Sequence, residues 1–248
     1  APDEIGRNRA VTIGMAGDID AIAGQLADEA EKHDWDALPW LSELEEERAA
    51  QRESLEALAV AEKPMHAMQV HKTLARLLRP DDILVFDGGD FCHFARAYLP
   101  ALRPESWWYV TTLGMLGAAL PTALAAKLAH PDRRVFMLTG DGSFGFNGME
   151  FDTAVRRKIP VLVLISLNGG WTADHNTEKP GRDLGYTRYD QLALTLGGPG
   201  ADVEDPGVIR PALERAAAAV AEGTPALVNV VTDWTSRTTT APFTLYST

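Results

Sequence analysis

The stretch LTGDGSFGFNGMEFDTAVRRKIPVLVLISLNGG occupies residues 138–170 and contains the end of one apolar run, a glycine-rich turn, a helical pattern and a second apolar run. Further short apolar runs are ILVFD at 83–87, WWYVTT at 107–112 and PALVNVV at 225–231. Helical patterns separate these runs, and the alternation predicts an α/β fold: a parallel sheet with helices on both faces. Ligands of such sheets bind at the carboxyl ends of the strands, so the polar turns there form the candidate site.

The turn GDGSFG at 140–145 has the G-x-G-x-x-G spacing of dinucleotide-binding folds. In those folds an acidic residue about 20 positions further on binds the ribose, but here that region reads VLVLIS. Asp141 would also face the pyrophosphate with no charge between them, which is repulsive. The spacing alone therefore gives weak support to a nicotinamide or flavin oxidoreductase.

Asp141 becomes favourable beside a phosphate group if a divalent cation lies between the two. Mg²⁺ prefers carboxylate, carbonyl and phosphate oxygens in an octahedral arrangement. The next strand ends at Asn168, whose amide oxygen is a second ligand, and the glycines after it allow the carbonyl of Gly170 to face the ion. The alternative is that Asp141 only caps the following helix and Asn168 only occupies a turn.

The composition excludes several classes of function. The 248 residues carry a net charge of −12, which repels nucleic acids and anionic membrane surfaces. The most apolar window, 113–129, contains Pro121 and Lys127 and predicts a buried helix, not a membrane span. The single Cys92 excludes a disulfide framework, predicts a small core residue and suits a cytoplasmic location.

The two polar motifs together resemble the signature of enzymes that use thiamine diphosphate (ThDP). That signature is G-D-G followed, after the next apolar strand, by two asparagines; here Leu167 replaces the first and Asn168 retains the second. The stretches GGDF at 88–91, LGMLGAALPTALAAKLAHPDRRVFMLTGDGS at 113–143 and GTPALVNVVTD at 223–233 are similar to the diphosphate-binding domain of the acetolactate synthase, benzaldehyde lyase and 2-hydroxyacyl-CoA lyase group. The resemblance implies a ThDP-binding fold with ThDP and Mg²⁺ as cofactors.

The resemblance also implies which residues hold the diphosphate end of the cofactor. The metal ligands would be Asp141, Asn168 and the carbonyl of Gly170. The diphosphate would contact the loop and the helix start, where backbone amides are available to an anion. These residues are Gly140, Asp141, Gly142 and Ser143.

Other matching residues would contact the rest of the cofactor. The carbonyl of Gly114 would meet its 4′-amine, and Leu116 would be the wedge that bends it, unless Leu116 is an ordinary core residue. Trp171 directly follows the metal ligands and would pack on cofactor or substrate. A loop at the end of the first strand would touch the diphosphate, and its residues are Gly89, Asp90 and Phe91.

Three histidines and the C-terminal segment are further candidates. His175 lies just beyond the metal motif, where relatives place substrate contacts, or else it is a solvated loop residue. His66 and His71 lie on the first predicted helix of the sheet domain, away from the strand ends, and are interpreted as structural. Residues 233–248 form either a lid over the active site, as in acyl-CoA-using relatives, or a frayed end.

The chain divides into four predicted segments: the end of a middle domain with a strand and a helix at 1–31, a charged helical linker at 32–62, the ThDP diphosphate-binding domain at 63–232 and the tail. In the family, a glutamate on a separate pyrimidine-binding domain protonates the cofactor ring. The sequence contains no such domain, so the resemblance implies a larger partner subunit that carries the pyrimidine-binding and middle domains, in a dimer of heterodimers. The alternative is a fragment of a longer chain; the small first residue favours the split enzyme.

The resemblance implies a lyase or ligase that acts on a carbon–carbon bond. The favoured form is a 2-hydroxyacyl-CoA lyase, which cleaves a 2-hydroxyacyl-CoA to an aldehyde or ketone and formyl-CoA, or catalyses the reverse reaction. An acetolactate synthase or a 2-oxoacid decarboxylase is the next hypothesis. A non-catalytic chain that holds the cofactor or regulates a partner is the third.

Overall fold

The computed structural model describes residues 2–36, 38, 40–109, 114–171 and 180–238. Backbone contacts divide the chain into two compact units, 1–48 and 49–248. The division falls inside helix α2 (Trp40–Ala57), within the segment predicted as a linker. The second half of this helix therefore belongs to the larger unit.

The first unit contains a 3-10 helix at Pro2–Glu4 and helix α1 at Ile19–Ala30. Asp18 caps α1 because its carboxylate accepts a hydrogen bond from Ala21 N at 2.9 Å. The strand predicted before this helix is not formed, and residues 10–18 lie in bends and irregular backbone. A strand without neighbours leaves its backbone groups unpaired and is not stable alone.

The second unit alternates helices and strands along the chain, as predicted. After α2 come α3 (Ala67–Ala75), β1 (Ile83–Phe86), α4 (Asp90–Tyr98), β2 (Trp107–Tyr109), α5 (Ala119–Ala129), β3 (Val135–Gly140), α6 (Asp141–Asn147), α7 (Glu150–Arg157), β4 (Leu162–Leu167), α8 (Tyr189–Thr195), β5 (Gly200–Val203), a 3-10 helix (Pro206–Val208), α9 (Ile209–Ala221) and β6 (Ala226–Val231).

The described strands form one parallel sheet in the order β2-β1-β3-β4-β6-β5. The chain leaves β1 for β2 on one side and then returns to β3 on the other, so the connections diverge between β1 and β3. Such a switch point is where ligands of open parallel sheets bind. β4 pairs with β3, which places a third carboxyl end beside the same crevice.

Both faces of this sheet are covered by helices. Leu84 and Phe86 of β1 pack on one face with residues of α3, α4 and α9, whereas Ile83 and Val85 pack on the other with residues of α5 and α7. This two-sided burial explains why the strands are continuous apolar runs. Cys92 is buried in the first of these cores, as predicted.

Two elements and one interpretation differ from the sequence expectations. The sequence does not predict β5, whose four residues GADV form a short edge strand, or α4. The interpretation of 32–62 as a solvated linker fails at the end of α2, because the Tyr98 hydroxyl donates a 2.8 Å hydrogen bond to Glu56 and Leu55 packs on the core. Within the described ranges, no helix is both long and apolar enough to cross a membrane.

Candidate functional site

A cleft opens at the switch point, between the carboxyl ends of β1, β3 and β4. The described residues that line it are Gly88, Gly89, Asp90, Phe91, Leu116, Gly140, Asp141, Gly142, Ser143, Ser166, Asn168, Gly170 and Trp171. This set contains every predicted cofactor or metal residue except Gly114. Gly88 and Ser166 are additional; Ser166 shares a buried 2.6 Å hydrogen bond with the hydroxyl of Thr232.

Asp141 joins the ends of two strands. It is the first residue of α6 and only 3% of its surface is exposed. Its Oδ1 accepts a hydrogen bond from Gly142 N and its Oδ2 accepts one from Gly169 N, both at 2.7 Å. In the part of the chain that the structure describes, no lysine, arginine or histidine pairs with this carboxylate.

Two opposing effects act on the pKa of the Asp141 carboxyl group, and burial is the larger. Burial raises the pKa of its carboxyl group because the charged form loses hydration. Backbone amides of Gly169, Gly142 and Asn168 lower the same pKa, but by less than burial raises it. A divalent cation would favour the ionised carboxylate far more strongly than amide dipoles do. The position therefore has the properties of a cation ligand.

The chain turns back along the cleft where β4 ends. Gly169 has φ +83°, in the left-handed region that favours glycine. Trp171 N donates a 2.9 Å hydrogen bond to the carbonyl of Arg182, and a Cβ at Gly170 would lie 2.5 Å from that carbonyl oxygen. Asn168 Oδ1 accepts a long 3.3 Å hydrogen bond from Gly170 N. The glycine pair thus lets the backbone pass close to the segment at Arg182 and Asp183, with which Gly170 forms an isolated antiparallel bridge, and keeps Asn168 in the cleft wall.

Trp171 covers the start of α6. A Cβ at Gly142 would lie 2.8 Å from the nearest atom of the Trp171 ring, so the ring lies directly on the glycine backbone. The Phe146 ring is tilted against the same indole with 5.9 Å between centroids. The predicted contact residue therefore borders the predicted diphosphate loop.

Leu116 lies over the end of β1. Its Cδ2 occupies the space that a Cβ at Gly88 would need, and the residue is 37% exposed, so it is not an ordinary core leucine. Asp87, which the sequence analysis does not predict, fixes this turn: its buried carboxylate accepts hydrogen bonds from Gly117 N at 3.1 Å and Ala119 N at 3.2 Å. Asp87 is the one polar residue of the ILVFD run and stands at its carboxyl end. This position, where ligands of parallel sheets bind, is the sequence feature that could have identified it.

Asp90 and Phe91 form the start of α4 on the opposite wall. Asp90 is buried, its Oδ1 accepts a 3.0 Å hydrogen bond from Thr238 N, and its Oδ2 lies 3.8 Å from Arg237 Nη1. His71 is fully buried, and burial lowers its pKa to about 3, so its neutral ring donates from Nε2 to the Phe91 carbonyl at 2.8 Å. His71 is structural, as predicted, but it supports a residue of the cleft.

Three predicted features fall partly or wholly elsewhere. Gly114 has φ +60° and does not line the cleft. His175 and residues 239–248 lie outside the described residues, so a substrate contact and a lid stay predictions. The first residues of the tail are described, and Asp233 N donates a 2.9 Å hydrogen bond to the carbonyl of Met65. His66 caps α3 through Nδ1, which accepts from Met68 N at 3.1 Å.

Comparison of the sequence with models of known protein families identifies the family of this chain. The family model for the C-terminal thiamine-pyrophosphate-binding domain of thiamine pyrophosphate enzymes matches residues 87–230. The chain belongs to this family. The predicted ThDP-binding fold is confirmed, and ThDP with Mg²⁺ are the cofactors that the matched domain and the relatives imply.

The relatives that resemble this chain are named for three different reactions. The acetolactate synthase large subunit IlvG of Mycobacterium tuberculosis is 40% identical over 91% of this chain and 42% of its own length. The 2-hydroxyacyl-CoA lyase 2 of Homo sapiens is 32% identical over 88% of this chain and 36% of its own length. The solved thiamine diphosphate-dependent 4-hydroxybenzoylformate decarboxylase of Rhodococcus jostii RHA1 has a TM-score of 0.62 at 27% identity, over 68% of this chain and 33% of its own. The chain thus spans less than half of these relatives.

The donor set of the ThDP-family cleft suits a hard cation. The Asp141 carboxylate, the Asn168 amide and the Gly170 carbonyl all offer oxygen atoms, which are the donors that Mg²⁺ prefers. Within the described residues, no group of three or more His, Cys, Asp or Glu side chains could hold a metal ion.

Proposed function

We propose that the chain is the diphosphate-holding part of a ThDP- and Mg²⁺-dependent enzyme that forms or breaks a carbon–carbon bond beside a carbonyl group. The observation that carries this proposal is the buried Asp141 carboxylate, which accepts hydrogen bonds only from backbone amides among the described residues. When bound, ThDP supplies a ring that stabilises the carbanion left by bond cleavage.

Each cleft residue has a role in this proposal. Asp141, Asn168 and the Gly170 carbonyl would hold Mg²⁺, and the start of α6 with Ser143 would contact the diphosphate. The cation would keep Asp141 ionised against the effect of burial on its pKa. Trp171 and Leu116 would exclude water from the flanks of the cofactor and fix its orientation.

The size of the cleft supports a site completed by other residues. Its volume is about 120 Å³, whereas pockets that enclose a cofactor-sized ligand usually have about 300–1,000 Å³. The described residues therefore supply room for only part of ThDP. We propose that a pyrimidine-binding domain with its glutamate completes the site, on a larger partner subunit in a dimer of heterodimers or on another part of a longer chain. A cytoplasmic location is part of this proposal.

Two reaction types are the candidates. The 40% identity to acetolactate synthase supports a reaction of that type. The 32% identity to 2-hydroxyacyl-CoA lyase 2 supports the acyl-CoA lyase that the sequence analysis favours. We place the acetolactate synthase type first because its identity is higher over a similar share of the chain.

The test is to co-express the chain with the product of the neighbouring reading frame and to purify the complex. We expect the complex to retain ThDP and to convert either pyruvate or a 2-hydroxyacyl-CoA, with activity lost in Asp141→Asn. A complex that retains ThDP but converts neither substrate would favour the non-catalytic alternative. Absence of Mg²⁺-dependent ThDP binding in any such complex would refute the proposal.

A further inference from the structure

Two largely buried arginines lie beside the cleft, outside the set of residues that lines it. Arg182 is 8% exposed, and its guanidinium stacks on the Trp234 ring at 4.6 Å. Arg237 Nη1 donates a 2.5 Å hydrogen bond to the carbonyl of Trp234, so both guanidiniums contact the same tryptophan. They adjoin the cleft because Trp171 N binds the Arg182 carbonyl and Arg237 lies 3.8 Å from Asp90.

The same edge of both guanidiniums is unpaired. The buried Nε and Nη2 atoms of Arg182 and of Arg237 have no hydrogen-bond partner among the described residues. Nε–H and Nη2–H point in one direction and form the fork that binds two oxygens of a carboxylate or phosphate. Because buried donors are nearly always satisfied in folded proteins, two empty forks indicate an absent acceptor.

The nearby acidic groups do not occupy these forks. The Asp183 side chain is 74% exposed and, within the described ranges, accepts a hydrogen bond only from Arg182 Nη1, at 2.6 Å. Asp90 Oδ2 is 3.8 Å from Arg237 Nη1, which is beyond hydrogen-bond distance, and Asp90 Oδ1 accepts from Thr238 N. Burial lowers the pKa of Arg237, and the charge of Arg182 lowers it further, which a bound anion would reverse.

We propose that Arg182 and Arg237 form an oxyanion site that binds a carboxylate or phosphate group of the substrate next to the cofactor cleft. The identification of the anion as part of a substrate rests on the proposed function, whereas the site itself does not depend on ThDP. Two sources supply this chemistry: the carboxylate of a small 2-oxoacid and the phosphates of an acyl-CoA. The source distinguishes the two candidate reaction types.

The test is calorimetric titration of the full chain, without ThDP or Mg²⁺, with pyruvate and separately with adenosine 3′,5′-bisphosphate. We expect saturable binding of one of them below about 10 mM, a range typical of weak anion sites. Arg182→Lys and Arg237→Lys keep the charge but remove the fork, so each should weaken binding at least about tenfold. Arg156→Gln is the matched control, since it removes one charge from an arginine that is 60% exposed.

Each outcome decides the proposal. Pyruvate binding that depends on both arginines supports a carboxylate, and bisphosphate binding with the same dependence supports a phosphate. No saturable binding of either ligand, or equal binding by wild type and the lysine variants, overturns the site. Arg237 is 21% exposed, so Arg237→Lys should fold even if circular dichroism shows that Arg182→Lys does not. Because no cofactor is present, failure here leaves the ThDP proposal intact.

Discussion

Buried carboxylates lie at both ends of the parallel sheet, but their partners differ. At the amino end, the two oxygens of Asp82 accept hydrogen bonds from Arg134 at 2.8 and 2.5 Å, and Arg79 N donates to the same carboxylate at 2.6 Å. At the carboxyl end, Asp141 and Asp87 accept hydrogen bonds only from backbone amides within the described ranges. Asp82 has an arginine partner, whereas neither Asp141 nor Asp87 has a cationic partner among the described residues.

This difference is what we expect if Asp82 is a structural carboxylate and Asp141 is the metal ligand that we propose. A buried charge is costly unless it is paired, and a fixed arginine pairs Asp82 in the folded chain itself. Asp141 is similarly buried without such a partner among the described residues, and a bound divalent cation would supply the missing counter-charge. Under the proposed function, the carboxylate at the carboxyl end binds the cofactor metal and the carboxylate at the amino end stabilises the fold.

Asp141→Asn should have the largest effect. The amide has the size of the carboxylate and can still accept from a backbone amide, but it carries no charge to bind a divalent cation. We expect the affinity of the purified complex for ThDP with Mg²⁺ to fall by about 100-fold or more, measured by calorimetry. Asp82→Asn is the matched control and should bind ThDP with the affinity of the wild type. Equal affinities in all three proteins would show that Asp141 does not bind the cofactor metal.

Asp82→Asn should instead reduce stability. The substitution leaves Arg134, whose side chain is 17% exposed, without its counter-charge, and removal of one partner of such a pair typically costs about 2–3 kcal/mol after allowance for its partial exposure. Urea unfolding of the full chain measures this loss. A similar loss in Asp141→Asn would show that the two carboxylates have the same structural role.

The pH dependence of stability tests whether the His71 ring that supports Phe91 in the cleft wall is neutral. The pKa of His71 is about 3 in the folded chain and near 6.5 when unfolded, so between these values only the unfolded chain binds the proton. Stability from this group is therefore lost as pH falls from 6.5 toward 3, by at most about 1.4 kcal/mol per pH unit. His71→Gln can still donate to Phe91 and should lose less stability between pH 7 and pH 5 than wild type. Equal losses would mean that His71 is not held neutral.

The smallest effect on stability is expected from leucines at the two ends. Leu116 at the carboxyl end is 37% exposed and Leu102 at the amino end is 54% exposed, so alanine at either should cost under about 1 kcal/mol. Only Leu116→Ala should lower kcat of the complex, because only Leu116 lines the cleft. Equal kcat values in the two variants would show that Leu116 has no role as a wedge.

The sequence predicts the features that local patterns encode. The apolar runs predict the principal strands, and the G-D-G turn with Asn168 predicts the corner where β3 and β4 end. β5 is not predicted because a four-residue edge strand with one fully buried residue, Val203, has the composition of a loop. α4 is not predicted either, although its apolar residues at 91, 94, 95 and 98 have helical spacing, because the polar and glycine residues GGD before it are typical of a loop.

Features that depend on long-range contacts are not predicted. Asp87 fixes the turn at Leu116 by accepting hydrogen bonds from the amides of Gly117 and Ala119, which follow β2 in the chain. Likewise Arg182 and Arg237 become neighbours only because both contact Trp234. No spacing in the sequence encodes either arrangement, since each depends on tertiary packing.

The most direct test of the proposed metal site is anomalous diffraction from crystals of the complex grown with ThDP and Mn²⁺ in place of Mg²⁺. We predict one strong manganese peak bonded to the Asp141 carboxylate, the Asn168 amide oxygen and the Gly170 carbonyl, and none beside Asp82. Clear ThDP density in the cleft with no metal at Asp141 would contradict the account.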